Sequence, residues 1–120
     1  MTLYTSGLND GCIDVTHRVF SFFTKKHFPI TNHDVEVHYC DLSDDNVKGY
    51  QEQNGDEFLI HIDTHLEEGE LIKTIFHELV HCAQDIRGLT NNEEREDEAY
   101  TLEEKYAHEF LEGGTVKLSL

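Results

Sequence analysis

The sequence predicts an α+β fold, and three observations carry that reading. Residues 10–27 and 66–86 repeat apolar side chains at helical spacing. Between them, residues 34–62 alternate apolar and polar side chains and are broken by an Asn54-Gly55 turn signal. A third periodic stretch, residues 92–112, is rich in acid. The order is an N-terminal helix, a small, mostly antiparallel sheet containing a hairpin, and then two C-terminal helices.

In the first helix Ile13, Thr16, Phe20 and Phe23 share a face with Val15, Val19 and Phe22 beside them. A face that wide belongs against a core, which leaves His17 and His27 solvent-facing or structural. Asp10 stands where a cap is wanted and Pro29 where the helix must end. In residues 34–40, Val35, Val37 and Tyr39 fall on one side, the mark of a half-buried strand. An acidic turn, Asp41 to Asn46, leads to a weaker strand over 47–52. Asn54 and Gly55 both tolerate positive φ, so a hairpin should lead into a strand over 57–62 facing Phe58, Ile60 and Ile62 inward. The sheet expected is three-stranded.

Thr64 and Glu67 have capping-box spacing ahead of the second helix, although Gly69 disturbs its first turn. Gly88 supplies its stop, and Arg87 suits its last turn. Asn91 and Glu94 repeat the capping pattern before residues 92–112, whose apolar stripe is Ala99, Leu102, Tyr106 and Phe110. Gly113-Gly114 should end this helix, leaving Val116, Leu118 and Leu120 as a short last strand or a loose end. There is no internal repeat or low-complexity tract, so residues 1–120 read as a single domain.

The formal net charge is −16 in 120 residues, and nearly all the excess acid lies beyond residue 30. Such a surface argues against nucleic acid as a partner, because phosphate binding needs clustered Lys and Arg. It suits solubility, or docking onto a basic protein partner. No apolar run approaches a membrane span. The first residues lack a basic segment followed by an apolar one, so no signal peptide is expected. Cys12, Cys40 and Cys82 are an odd, sparse set without a C-x-x-C pair, which points to a reducing, cytoplasmic location. All three are expected as small core residues.

The chemistry concentrates in His77-Glu78-Leu79-Val80-His81, an H-E-x-x-H pentapeptide on the second helix. Residues four apart sit about 40° apart around a helix, so His77 and His81 can present imidazoles to one point. Two neutral imidazoles make half of a tetrahedral zinc site, and a glutamate between them can act on a zinc-bound water. A chain this rich in His and Glu would contain the pattern by chance roughly one time in ten. Its placement adds weight. Ile72, Ile75, Phe76, Leu79, Ala83 and Ile86 form one broad arc, and the histidines fall opposite it, flanked by Lys73, Thr74 and Gln84. Cys82 points away from that face.

A catalytic zinc keeps three protein ligands and one open position. The third ligand should come from the acidic helix, folded back by the short loop around Gly88-Leu89-Thr90. Glu93, Glu94, Glu96, Asp97 and Glu98 are available. Glu96 and Glu98 flank opposite sides of the apolar stripe, and helical geometry does not choose between them.

His77 to His81 followed by Glu96-Asp97-Glu98-Ala99-Tyr100 resembles the gluzincin class of zinc metallopeptidases, in particular compact single-domain forms of the ImmA/IrrE type. Several members carry E-x-x-A on the helix after H-E-x-x-H, and its first glutamate binds the metal. The resemblance therefore implies a Zn2+ cofactor held by His77, His81 and Glu96. Some relatives have Asp four residues after that ligand, where this chain has Tyr100. The SprT-like group uses a third histidine instead, for which the downstream candidate is His108. The activity implied is peptide-bond hydrolysis on a peptide or protein substrate, with Glu78 as general base and Tyr100 as a candidate donor to the developing oxyanion. Strand 58–62 or 47–52, whichever lies at the sheet edge, would align an extended peptide. A cleft lined with carboxylates would favour basic substrates. The alternative is a non-catalytic acidic protein docking on a basic partner, as a regulator or a DNA mimic, with or without structural zinc.

Overall fold

The computed structural model describes residues 3–7, 10–28 and 33–119, with side chains for 3–7, 11–28 and 33–112. The elements are β1 (Leu3–Ser6), α1 (Asp10–Lys26), β2 (Asp34–Cys40), a 3-10 turn (Ser43–Asp45), β3 (Gly49–Asn54), β4 (Glu57–Asp63), α2 (Glu68–Arg87) and α3 (Asn92–Ser119). The α+β class holds, with one four-stranded sheet in the order β1-β2-β4-β3.

The mostly antiparallel, three-stranded sheet does not hold. β1 runs parallel to β2, and β2 runs parallel to β4; the β3–β4 hairpin is the antiparallel pairing. Alternation reveals which face a residue takes, not which strand lies beside it. The hairpin folds so that β4, rather than β3, lies next to β2, and α1 provides the crossover that lets β1 run parallel. The four residues of β1 are too few to show a period.

Inward-facing residues of the central strands interlock across the register, Val35 with Phe58, Val37 with Ile60 and Tyr39 with Ile62. All six are buried. α1 adds Thr16, Val19, Phe20 and Phe23, and α2 adds Ile72, Ile75, Phe76, Leu79 and Ala83. Ile86 ends outside this arc, exposed on the last turn. Tyr39 hydrogen-bonds Thr16 through its hydroxyl at 2.7 Å, and burial pushes the phenol up to about 12. Truncating a side chain as buried as Leu79 to alanine costs about 2–5 kcal/mol.

Several boundaries differ from expectation for local reasons. Thr64 does not cap α2, because its N–H bonds the Cys40 carbonyl and ties it to the sheet. Glu67 takes the N-cap position with no side-chain cap bond, and the helix runs through Gly69. The hairpin loop is Gly55-Asp56, one residue later than expected, with positive φ at Gly55 as in a type II′ turn. Gly88 has φ 79° and ends α2, while the Asn91 side chain accepts the Glu94 N–H at 3.0 Å and opens α3. The α3 backbone stays helical through Gly113-Gly114 to Ser119, so neither the stop nor a terminal strand forms there. Glycine weakens a helix by about 1 kcal/mol without forbidding it. The side chains of Val116 and Leu118, all of Leu120, the Asp10 side chain and Pro29 lie outside the described residues.

No cysteine forms a disulfide; Cys82 is a core residue, whereas Cys12 and Cys40 are partly exposed. Among the described residues, no helix is long and apolar enough to cross a membrane.

Two features set up the cleft. β3 is an edge strand and β4 an interior one, so of the two strands considered for substrate alignment only β3 has a free edge. At its start, a Cβ on Gly49 would sit 2.7 Å from the His61 carbonyl oxygen and 3.0 Å from Thr74 Cγ2, so glycine lets α2 approach this edge closely.

Candidate metal centre

α2 and α3 are joined by the short turn after Gly88 and pack face to face. The face of α2 opposite the core therefore meets α3 instead of water: Thr74 and Gln84 are buried, and the side chains of His77 and His81 are each 12% exposed. The imidazoles meet at 3.1 Å between their Nε2 atoms. Glu96 Oε1 completes a triangle, 3.2 Å from His81 Nε2 and 3.4 Å from His77 Nε2.

Hydrogen bonds on the far side of each ring fix its tautomer. His77 Nδ1 lies 2.8 Å from a Glu103 carboxylate oxygen, and His81 Nδ1 lies 2.7 Å from Gln84 Oε1. The Gln84 amide is oriented by its own donations to the Arg95 carbonyl at 2.9 Å and to Glu98 at 3.0 Å. Both partners of the rings are acceptors, so each Nδ1 carries a proton, and in the neutral imidazole each Nε2 then presents a lone pair. Two lone pairs and a carboxylate oxygen within 3.4 Å of one another repel unless a cation lies among them. Glu96 Oε2 is in addition buried with no hydrogen-bond partner. Zinc bound tetrahedrally at about 2.0–2.1 Å places its donors about 3.4 Å apart, so the spacing fits that ion. The three residues form a group whose donor atoms all lie within 4.8 Å.

Glu78 is 4% exposed at the floor of this site. Burial pushes its carboxyl up to about 8, with the charges of Glu96 and Glu103 adding to the rise. Glu98 sits elsewhere. Burial would raise its pKa, but bonds from Gln84 and from Arg87 at 2.8 Å outweigh that and hold it below the usual carboxylate range. Tyr100 is 63% exposed and packs edge-on against His77 at 4.8 Å between ring centres. His108 lies apart, paired with Glu112 on the surface of α3.

These groups open into a cleft of about 590 Å³, with β3 on one side and Tyr100 on the other. Its charge is mixed. Lys48 pairs with Glu70 at 3.0 Å, Lys73 with Glu104 at 3.0 Å and Arg95 with Asp85 at 2.7 Å. The cleft is lined with carboxylates as expected, Glu70, Glu78, Glu96 and Glu103, but these three cations line it too. Asp85 also accepts from Gln51 at 2.8 Å, which ties β3 to both helices.

A family model matches residues 30–111, more than half of the chain. The chain belongs to the IrrE N-terminal-like domain family, Peptidase M78. The match covers β2 through most of α3, including every residue of the triangle, and leaves β1 and α1 outside it. It agrees at family level with the resemblance carried by the two helix segments, and it makes this a peptidase-type domain. No curated protein and no solved structure matches the chain.

In this member of the family, two polar residues escaped the sequence reading. Glu103 bonds His77 from seven positions beyond Glu96, two turns along α3, and so holds the ring where Tyr100 at the nearer position cannot. Gln84 does the same for His81 from within α2. The signal for Gln84 was present, since it is a polar residue three positions after a histidine on the same face. Glu103 had no such signal among so many glutamates.

Proposed function

We propose that this domain is a zinc-dependent metallopeptidase in which His77, His81 and Glu96 hold the ion and Glu78 is the general base. The observation that carries the reading is the triangle of two ring nitrogens and a carboxylate oxygen between 3.1 and 3.4 Å apart, each ring oriented from behind. Bound zinc supplies Lewis acidity at the scissile carbonyl and lowers the pKa of a bound water towards neutrality. Glu78 takes the proton of the attacking water and returns it to the leaving amine. In the metal-free site burial, with the charges of Glu96 and Glu103, pushes this carboxyl up to about 8, and a cation bound beside it would draw that value down towards the ionised form a base needs. β3 would offer its free backbone edge to an extended peptide, and Tyr100 at the rim would donate to the oxyanion.

The test is Glu78→Gln, assayed for both zinc content and hydrolysis of an unstructured protein such as casein. Zinc at wild-type level with cleavage lowered about 100-fold or more supports the assignment. Undiminished cleavage rejects Glu78 as base. A protein that binds partners without catalysis has no use for a buried proton-transfer group beside three metal-type donors, which favours the enzyme.

A further inference from the structure

β3 lies at the edge of the sheet, and its pairing with β4 decides which of its backbone groups are open. The Asp63 N–H bonds the Lys48 carbonyl at 2.9 Å, so residues 48, 50, 52 and 54 turn their backbone groups towards β4. Gly49 and Gln51, alternating with them, turn theirs to the open edge along the cleft. Thr74, Glu78, His81 and Asp85 follow one another at helical spacing on one stripe of α2. β3 meets this stripe at both ends: Gly49 stands against Thr74, and Gln51 Nε2 donates to Asp85 Oδ2 at 2.8 Å. Glu78 and His81 lie between these two attachments. Asp85 Oδ1 accepts from Arg95 Nη1 at 2.7 Å, and the same nitrogen donates to the Leu89 carbonyl at 2.8 Å. Arg95 directly precedes Glu96. The side chains of Asp85 and Arg95 are 21% and 16% exposed. The ion pair of Lys48 with Glu70 is more than half exposed on both sides, so it holds the strand only weakly.

We propose that Gln51, Asp85 and Arg95 form a positioning relay, which holds the open edge of β3 so that an extended peptide pairs with Gly49 and Gln51 beside His77, His81 and Glu96. The proposal rests on the reading of the cleft as a peptidase site. Gln51 serves twice: its main chain is part of the edge, and its side chain anchors that main chain to α2. The relay crosses β3, α2 and α3, so the strand that takes the peptide and the segment that contributes Glu96 are both fixed to one carboxylate, Asp85. Misplacing aligned groups by about 1 Å can slow a reaction about 100-fold, and that is the error such a tie prevents. These side chains act through the strand and the turn, not on the reacting atoms.

The test uses the full zinc-loaded chain and a fluorogenic, unstructured nonapeptide with uncharged side chains. Gln51→Ala should raise KM about 10-fold or more and lower kcat less than about 3-fold, with zinc content unchanged. Gln51→Lys, whose ammonium can reach Asp85, should recover most of the loss in KM. Circular dichroism checks that each variant is folded. An unchanged KM in Gln51→Ala, a loss confined to kcat, or a Gln51→Lys chain no better than Gln51→Ala overturns the relay. A second readout needs no turnover: amide hydrogen exchange in the Glu78→Gln chain, with and without the same peptide. A peptide concentration that slows exchange at Gly49 and Gln51 about 10-fold should slow it only about 2-fold or less once Gln51→Ala is added. No protection at either amide, or equal protection in the two chains, overturns the relay. If wild type cleaves nothing while the exchange result holds, the peptidase reading fails and the relay stands.

Discussion

The two faces of the sheet use the same residue types to opposite ends. On the helix side, His77, His81, Glu96 and Glu103 come together between α2 and α3, Glu96 with its side chain 46% exposed, and each imidazole has a hydrogen-bonded acceptor behind it. On the outer side, His61 packs edge-on against His38, and its side chain is 14% exposed, close to the 12% of His77 and His81. His38 bonds Ser6 at 2.6 Å, and His61 stacks on Tyr50 at 4.3 Å and meets Glu52 at 3.2 Å. Composition cannot separate these neighbourhoods. The orientation of the rings can, because a metal needs ring nitrogens and a carboxylate oxygen aimed at one point, as at His77, His81 and Glu96.

The sharpest way to break this comparison is to remove a donor from each side. Glu96→Ala should weaken zinc binding at least 100-fold, while His61→Ala should leave it unchanged, both read by competition with a chromophoric chelator. Glu98→Ala, two residues from Glu96, should cost less than 10-fold, since it acts only by holding Gln84. Equal losses at positions 96 and 98 would undo the ligand assignment. Next in size is Glu103→Ala, expected to lower zinc affinity about 10–100-fold, with Glu103→Gln restoring part of it.

The pH dependence of stability sharpens the comparison from another side. In the metal-free chain, the Glu78 carboxyl titrates at about 8 folded against about 4.5 unfolded, so the folded state binds the proton more tightly. Its contribution is fully present below the unfolded value and is lost as pH rises to about 8, a loss on the order of a few kcal/mol. Denaturant titrations of metal-free wild type should show stability falling over that window, and Glu78→Gln should flatten the fall. No difference between the two chains would mean that Glu78 is solvated. The smallest effect belongs to the rim: Tyr100→Phe should lower kcat less than 10-fold and leave zinc content alone.

Much of this arrangement was legible in the chain. Val35, Val37, Tyr39, Phe58, Ile60 and Ile62 announced two strands by alternation, and Gly88 and Asn91 marked the turn between α2 and α3. His77 and His81 stood out because they oppose the apolar arc of their own helix. What stayed hidden depends on contacts distant in sequence. Strand neighbours are not written in alternation, so the parallel pairings of β1 and β4 with β2 went unread. Thr64 looked like a cap until its N–H was needed by the sheet. Glu96 and Glu98 were equivalent on a wheel, and the Arg87 and Gln84 side chains that claim Glu98 separate them.

Zinc stoichiometry on the purified chain, measured by atomic emission beside His81→Ala, tests the central claim most directly. The account predicts one zinc per wild-type chain and almost none in the variant. A wild-type chain without zinc, or a variant that keeps it, would contradict the account.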